Sequence, residues 1–317
     1  MDYLYEEYKE MFKMKEKMEF KELLKELIFK ATAIKLDETD DDWILEPLIP
    51  TESIIILDGL GGSGKSWFAL DVSFSISTGI KFLNRFPVVK PGPVLYFTAE
   101  ETQNKFLKRL YMITATYGDN ENFYWFSTLH RKFPYTSVLL QKYYSSYTKT
   151  MMSEAIEYYL EEVKPVLVVL DSLVNFYGLN ENDATDATSF YDLIKGWIKT
   201  YQCSFLLLHH QNKESMRSDE GTFRGSIVFR EQARERITYR TMKLQDKTTV
   251  RKITIEKANY YSPLLEMFPL YLRWQDGAHI YDEQTIKIAK IMEEAKERTK
   301  SEAKKRNNNK EKMDPSL

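Results

Sequence analysis

The chain has 317 residues, 43% of them apolar and 29% charged, with a net charge near −2. That length allows one large domain or two small ones, and that balance suits a globular fold. The charge excludes a polycation, so any contact with nucleic acid must come from a local basic surface. The one cysteine, Cys203, excludes an internal disulfide and a cysteine-cluster zinc site, and fits a reducing cytoplasm.

No apolar run approaches the roughly 20 residues needed to span a bilayer, so no membrane partner is expected. The start, Met1 to Glu7, is acidic and does not read as a signal peptide. Through residue 36 the pattern is that of a charged amphipathic helix. Met11, Met14 and Met18, then Leu24, Leu27 and Ile28, recur at helical spacing. The acidic run Asp37 to Asp42 follows as a linker, so residues 1–42 form an N-terminal segment.

Ser53-Ile54-Ile55-Ile56-Leu57 reads as a buried strand. It runs into Gly59-Leu60-Gly61-Gly62-Ser63-Gly64-Lys65-Ser66, a complete phosphate-binding loop. A helical pattern over 66–78 opens with Trp67. Glycines let backbone N–H groups close around a phosphate at a helix N-terminus. Lys65 would neutralise the β- and γ-phosphates of ATP, and the Ser66 hydroxyl would hold Mg²⁺. Nucleotide binding is assigned to Gly59, Gly61, Gly62, Ser63, Gly64, Lys65, Ser66 and Trp67.

Further strands are expected at 94–98, 123–126, 166–170 and 203–208, with helices over 103–115, 151–163 and 186–200. Strands alternating with helices imply a parallel sheet. Runs at 235–244, 250–256 and 269–274 follow one another with short connections and predict an antiparallel edge. The fold class is therefore α/β, a mostly parallel twisted sheet flanked by helices. The core spans 43–282, and a charged C-terminal helix and basic tail cover 283–317.

Three strands end in polar side chains that carry chemistry. Val166 to Leu170 deliver Asp171 to the C-terminal edge of the sheet, where it could hold Mg²⁺ through water. Val94 to Thr98 deliver Glu100 and Glu101. Either could deprotonate the water that attacks the γ-phosphate, with Glu100 preferred; the alternative is that both cap the next helix. Phe205 to Leu208 deliver His209 and His210, one of which could donate to the γ-phosphate. Adjacent strand positions face opposite sides, which argues against a zinc site. Val174, where G proteins use glycine, argues against a GTPase, as does Asn212-Lys213-Glu214-Ser215, which lacks the aspartate that reads guanine.

The order of these motifs, with Arg224-Gly225-Ser226, Arg234 and Lys257-Ala258-Asn259-Tyr260, resembles the RecA-like ATPases of the RepA type. These are hexameric replicative helicases of plasmids and mobile elements. The resemblance spans about 43–275 and implies a homo-oligomeric ring with ATP between subunits. Lys65, Ser66, Glu100 and Asp171 then act in one subunit, with His210 or His209 as γ-phosphate sensor. Arg224 resembles the finger that reaches the neighbour's nucleotide, assisted by Lys257. The central channel implied for single-stranded DNA is lined by loops at about 173–186 and 212–223, the first carrying the acidic run Asn180 to Asp183. A loader or primase would be a separate partner. Two other functions fit the same motifs: a RecA/KaiC-like regulatory or accessory ATPase that does not unwind, and an ATP-gated interaction module.

Overall fold

The computed structural model describes residues 42–211, 231–244, 247–275, 278–283, 286–292 and 295. The N-terminal helix expected through residue 36, Arg224 with the second channel loop, and the basic tail lie outside the described residues. In the C-terminal segment, 286–292 are helical.

The core is a nine-stranded sheet in the order β13-β12-β11-β10-β3-β9-β8-β4-β5. Six strands run parallel: β3 (Ile54–Leu60), β4 (Val94–Thr98), β5 (Phe123–Ser127), β8 (Leu167–Asp171), β9 (Ser204–Gln211) and β10 (Glu235–Lys243). Each of β11 (Thr249–Ala258), β12 (Leu270–Gln275) and β13 (Ala278–Tyr281) is antiparallel to the strand before it. Two small hairpins stand apart, β1 (Trp43–Leu45) with β2 (Ile49–Pro50), and β6 (Leu140–Tyr143) with β7 (Ser146–Lys149).

The central strands are apolar on both faces because helices cover both. Ile55, Leu57, Val94, Tyr96, Leu167, Val169, Leu206 and Leu208 pack on one side, against α1 (Lys65–Thr78) and α2 (Gln103–Tyr117). Their alternates Leu95, Phe97, Val168, Leu170, Phe205 and Leu207 face α3 (Met151–Val163), α4 (Leu173–Tyr177) and α5 (Ala184–Tyr201). Helix boundaries follow cap chemistry: Thr150 accepts from the amides of Met152 and Ser153, and Asp183 from those of Thr185 and Asp186. In α5 the residues Ala187, Phe190, Tyr191, Ile194, Trp197 and Ile198 are buried, the apolar stripe of an amphipathic helix. Cys203 is fully buried in this second core. Among the described residues no helix is long and apolar enough to cross a membrane.

Three expectations need correction. The run at 235–244 is not antiparallel to the core: β10 pairs parallel with β3, and the antiparallel edge starts at β11. More than twenty residues separate β9 from β10, long enough for a crossover that returns the chain in the same direction. The segment 173–186 is not one open loop, because α4 and the first turn of α5 lie within it. The sheet edge also gains a fourth strand, β13, beyond the three expected.

Candidate active site

The C-terminal ends of β3, β9, β8 and β4 lie side by side in the sheet, so the loops that leave them share one edge. Asp58 pairs with His209, Gly59 with His210, and Thr98 with Asp171. Ligands bind at such an edge in open α/β sheets.

The loop between β3 and α1 is shaped by its glycines. A Cβ on Gly59 would stand 2.3 Å from the Tyr239 carbonyl oxygen, so only glycine lets β10 lie this close. Gly64 precedes α1 with φ 106°, and no side chain caps the helix. The Trp67 and Phe68 amides donate to the Gly64 carbonyl, which leaves those of Lys65 and Ser66 to meet an anion at the positive end of the helix. The Ser63 hydroxyl, in the same loop, is buried without a partner. A cavity of about 150 Å³ opens between Leu60 to Ser63 and Tyr239 to Thr241. Uncapped amides, an orphan hydroxyl and a buried ammonium fit a phosphate.

The ammonium is that of Lys65, which is 4% exposed. Its Nζ donates to the carbonyls of Gly59 (2.8 Å) and Leu60 (2.9 Å), and lies 3.1 Å from His210 Nδ1. Burial lowers its pKa to about 8, against the opposing pull of Asp171, Asp58 and Glu100. An ammonium has only protons to offer, so His210 Nδ1 must be the acceptor and the ring neutral. His210 Nε2 then donates to Glu100 Oε1 at 2.9 Å. The same carboxylate accepts from the Ser172 hydroxyl at 2.6 Å. These bonds, His210 first, outweigh partial burial and hold Glu100 at a pKa of about 2.

Asp171, 5% exposed, has the opposite environment. Burial raises its pKa, although Tyr96 donates to Oδ2 at 2.7 Å and Ser66 also hydrogen-bonds to it. Ser66 and Asp171 thus bring two oxygen donors together beside Lys65. A hard divalent cation such as Mg²⁺ takes such ligands and keeps several waters.

The alternatives within each pair separate in space. Glu101 turns away from the cluster and pairs with Arg109, whose guanidinium lies 4.9 Å from the Trp67 ring centroid. The expected cap role fits neither glutamate, since α2 starts after Thr102 and has no side-chain cap bond. His209 is buried on the other side of its strand, 3.1 Å from Asp58, which also accepts from Arg236 at 2.8 Å.

Lys257 does not join the cluster. Its Nζ donates to the carbonyls of Glu231 (2.8 Å) and Ala233 (2.6 Å). It pairs with Arg236, which is level with Ile56 near the start of β3, towards the opposite edge of the sheet. Arg224 is outside the described residues.

Five residues escaped the sequence reading. Tyr96 and Ser172 hold the two site carboxylates, and Arg109 holds Glu101 beside Trp67. Tyr239 and Arg251 back the loop, 3.3 and 3.7 Å from where a Cβ on Gly64 would stand. Only Ser172 carries a signal, as the residue that follows a strand-terminal aspartate.

A phosphate loop at the centre of a mostly parallel sheet, with carboxylates on two neighbouring strands, defines a P-loop ATPase with a RecA-like core. The sequence profile of the AAA_25 family, described as AAA domain, matches residues 23–216, more than half of the chain. The chain belongs to that family. The match begins inside the segment read as the N-terminal helix. No curated protein matches the chain.

Proposed function

We propose that the chain is an ATP-driven ring motor, a replicative DNA helicase of a plasmid, virus or phage that translocates on single-stranded DNA. One observation carries the ring. Lys65, Ser66, Glu100, Asp171 and His210 gather at one edge of the sheet, while Lys257 is placed towards the other. A lysine there that assists hydrolysis would act on the nucleotide of a neighbouring copy. The motif order shared with RepA-type helicases supports the DNA, and the cytoplasm follows from that role.

In this reading the loop amides and Lys65 bind the triphosphate, and Ser66 and Asp171 would hold Mg²⁺. Bound there, the ion neutralises phosphate charge. Tyr96 orients Asp171. Glu100 accepts the proton of the attacking water, and Ser172 fixes its carboxylate. His210, between Lys65 and Glu100, feels any change in either. Arg224 from the adjacent subunit completes the site; such a finger is worth roughly 10³–10⁵ in rate.

The test is ATPase activity and strand separation at low salt, with and without single-stranded DNA, for the wild-type chain and Arg224→Ala. A ring motor shows DNA-stimulated hydrolysis that Arg224→Ala abolishes. Hydrolysis that survives Arg224→Ala refutes the shared site. Hydrolysis without DNA stimulation or unwinding refutes the helicase and favours a regulatory or accessory ATPase.

A further inference from the structure

The connection from β5 to α3, residues 128–150, is unlike the rest of the chain. In a protein of net charge −2 it holds Arg131, Lys132, Lys142 and Lys149 and not one Asp or Glu. It also holds Phe133, Tyr135, Tyr143, Tyr144 and Tyr147. Its middle is the β6–β7 hairpin, whose strands pair with each other and with no other strand.

Phe133 packs on the second core, but three of the tyrosines are not spent on one. Tyr143 is 72% exposed, Tyr144 95% and Tyr135 50%. Tyr143 pairs with Ser146 at the end of the ladder, so Tyr144 occupies the turn, at φ 53°. Glycine or asparagine fills such a position with less strain. A tyrosine there presents a ring to solvent at the hairpin's tip. Lys142 and Lys149 are paired with Asp186 and Glu157, whereas Arg131 and Lys132 are exposed and have no acidic partner among the described residues.

A two-stranded hairpin is marginal alone, and this one is anchored. The Leu139 amide donates to the Phe176 carbonyl at 2.8 Å, and the Ser137 hydroxyl to that of Asn175 at 2.8 Å. Lys142 donates to Asp186 at 2.6 Å. Val138 packs on Gly178 so closely that a Cβ there would stand 2.1 Å from its Cγ1. All of these contacts are to the segment 173–186, the first of the two channel loops in the proposed ring. That segment is acidic at Glu181 and Asp183 and cannot grip phosphates by itself.

We propose that the hairpin is a second contact for single-stranded nucleic acid. Tyr143 and Tyr144 stack on bases, and Arg131 and Lys132, in the same connection, neutralise phosphates. Aromatic rings and cations without acids are the general makeup of such platforms. The inference rests on the reading of the chain as one that handles a single strand, and the experiment separates the two.

Binding of fluorescein-labelled oligothymidylate and oligouridylate to the full chain is measured by anisotropy at several salt concentrations. Tyr143→Ala/Tyr144→Ala weakens binding at least about fivefold, the lower bound for one lost stacked base. Tyr143→Phe/Tyr144→Phe restores it, since phenylalanine keeps the stacking face. Arg131→Ser/Lys132→Ser flattens the slope of log affinity against log salt by about 1.4, the value for two phosphates on a single strand. All variants keep basal ATPase, because none of these residues lies in the nucleotide site. Wild-type affinity in the double-alanine chain overturns the hairpin contact and leaves the motor standing. Wild-type affinity with lost self-association assigns the hairpin to a subunit contact and overturns it equally. No binding by the wild-type chain overturns both proposals.

Discussion

Lys65 should destabilise the fold that depends on it for function. Its side chain is buried, and burial brings its pKa from 10.5 to about 8. Holding the proton at pH 7 therefore costs about 3 kcal/mol relative to the unfolded chain. The sign follows from linkage. Between pH 8 and 10.5 the unfolded chain binds more protons than the folded one, so stability rises with pH through that window. From pH 7 to pH 9 the gain from this one group is about 1 kcal/mol.

Lys65→Met keeps most of the length of the side chain and removes the charge. It also strips a donor from the Gly59 carbonyl, a loss of about 1–3 kcal/mol if that oxygen is left unpaired. The Leu60 carbonyl is less affected, because it also accepts from the Ser63 amide. The variant should therefore be no less stable than wild type at pH 7, with a gain of up to about 2 kcal/mol, or roughly 2–4 °C in Tm for each kcal/mol. It should have no ATPase. Denaturant unfolding without nucleotide, on both proteins at pH 7, 8 and 9, reads the gap. The gap should narrow by about 1 kcal/mol by pH 9. The difference cancels other titrations, such as that of buried Cys203, whose pKa is pushed up to about 12. A variant less stable at pH 7, or a gap that does not change with pH, refutes the reasoning.

The same displaced pKa predicts that a triphosphate, by neutralising Lys65, draws a proton onto the protein at pH 8. Calorimetric titration with a non-hydrolysable ATP analogue in buffers of different ionisation enthalpy should detect that uptake, and zero uptake contradicts it. Glu100→Gln should lower kcat by on the order of 10²–10⁴, the range for a lost general base, with little change in KM; steady-state kinetics decides. Gly59→Ala drives a methyl into the Tyr239 carbonyl and should cost about 1–3 kcal/mol or more. An unchanged midpoint in thermal unfolding would mean that β10 does not lie against the loop.

The sequence was most legible where a strand or helix is bounded by its own chemistry. The runs at 94–98 and 166–170 have turn or charged residues at their ends and nothing charged within, and they appear as β4 and β8 nearly to the residue. The run at 203–208 stops too soon, because β9 continues through His209 and His210 to Gln211. Hydrophobicity ends there, but backbone pairing with β3 does not. The β6–β7 hairpin was invisible for the same reason: its strands are largely exposed, so no alternation marks them. Within the site, Lys65 could be named from the glycine-rich loop, and Asp171 and Glu100 from strand ends. The partners Tyr96 and Ser172 could not, because they become partners only once β4 and β8 are known to be neighbours. Strand order is a property of the whole sheet, not of any segment.

Strand order also gives the two site carboxylates their different characters. Asp171 lies within the sheet with its charge poorly solvated, and burial pushes its pKa up. Such a group is best satisfied by a cation, and a divalent ion would invert its environment. Glu100 emerges one residue beyond Thr98 and Ala99, at the rim, and is held ionised by His210. A carboxylate held this low is a poor base, so in the proposed reaction Glu100 would take the proton of water once His210 withdraws its hydrogen bond. His210 is held in place by Lys65, the group that a triphosphate would draw away. Environments that push paired groups apart separate their roles. In the proposed reaction the metal-holding and base roles would fall to Asp171 and Glu100, and the trigger that readies the base would be the arrival of phosphate at Lys65.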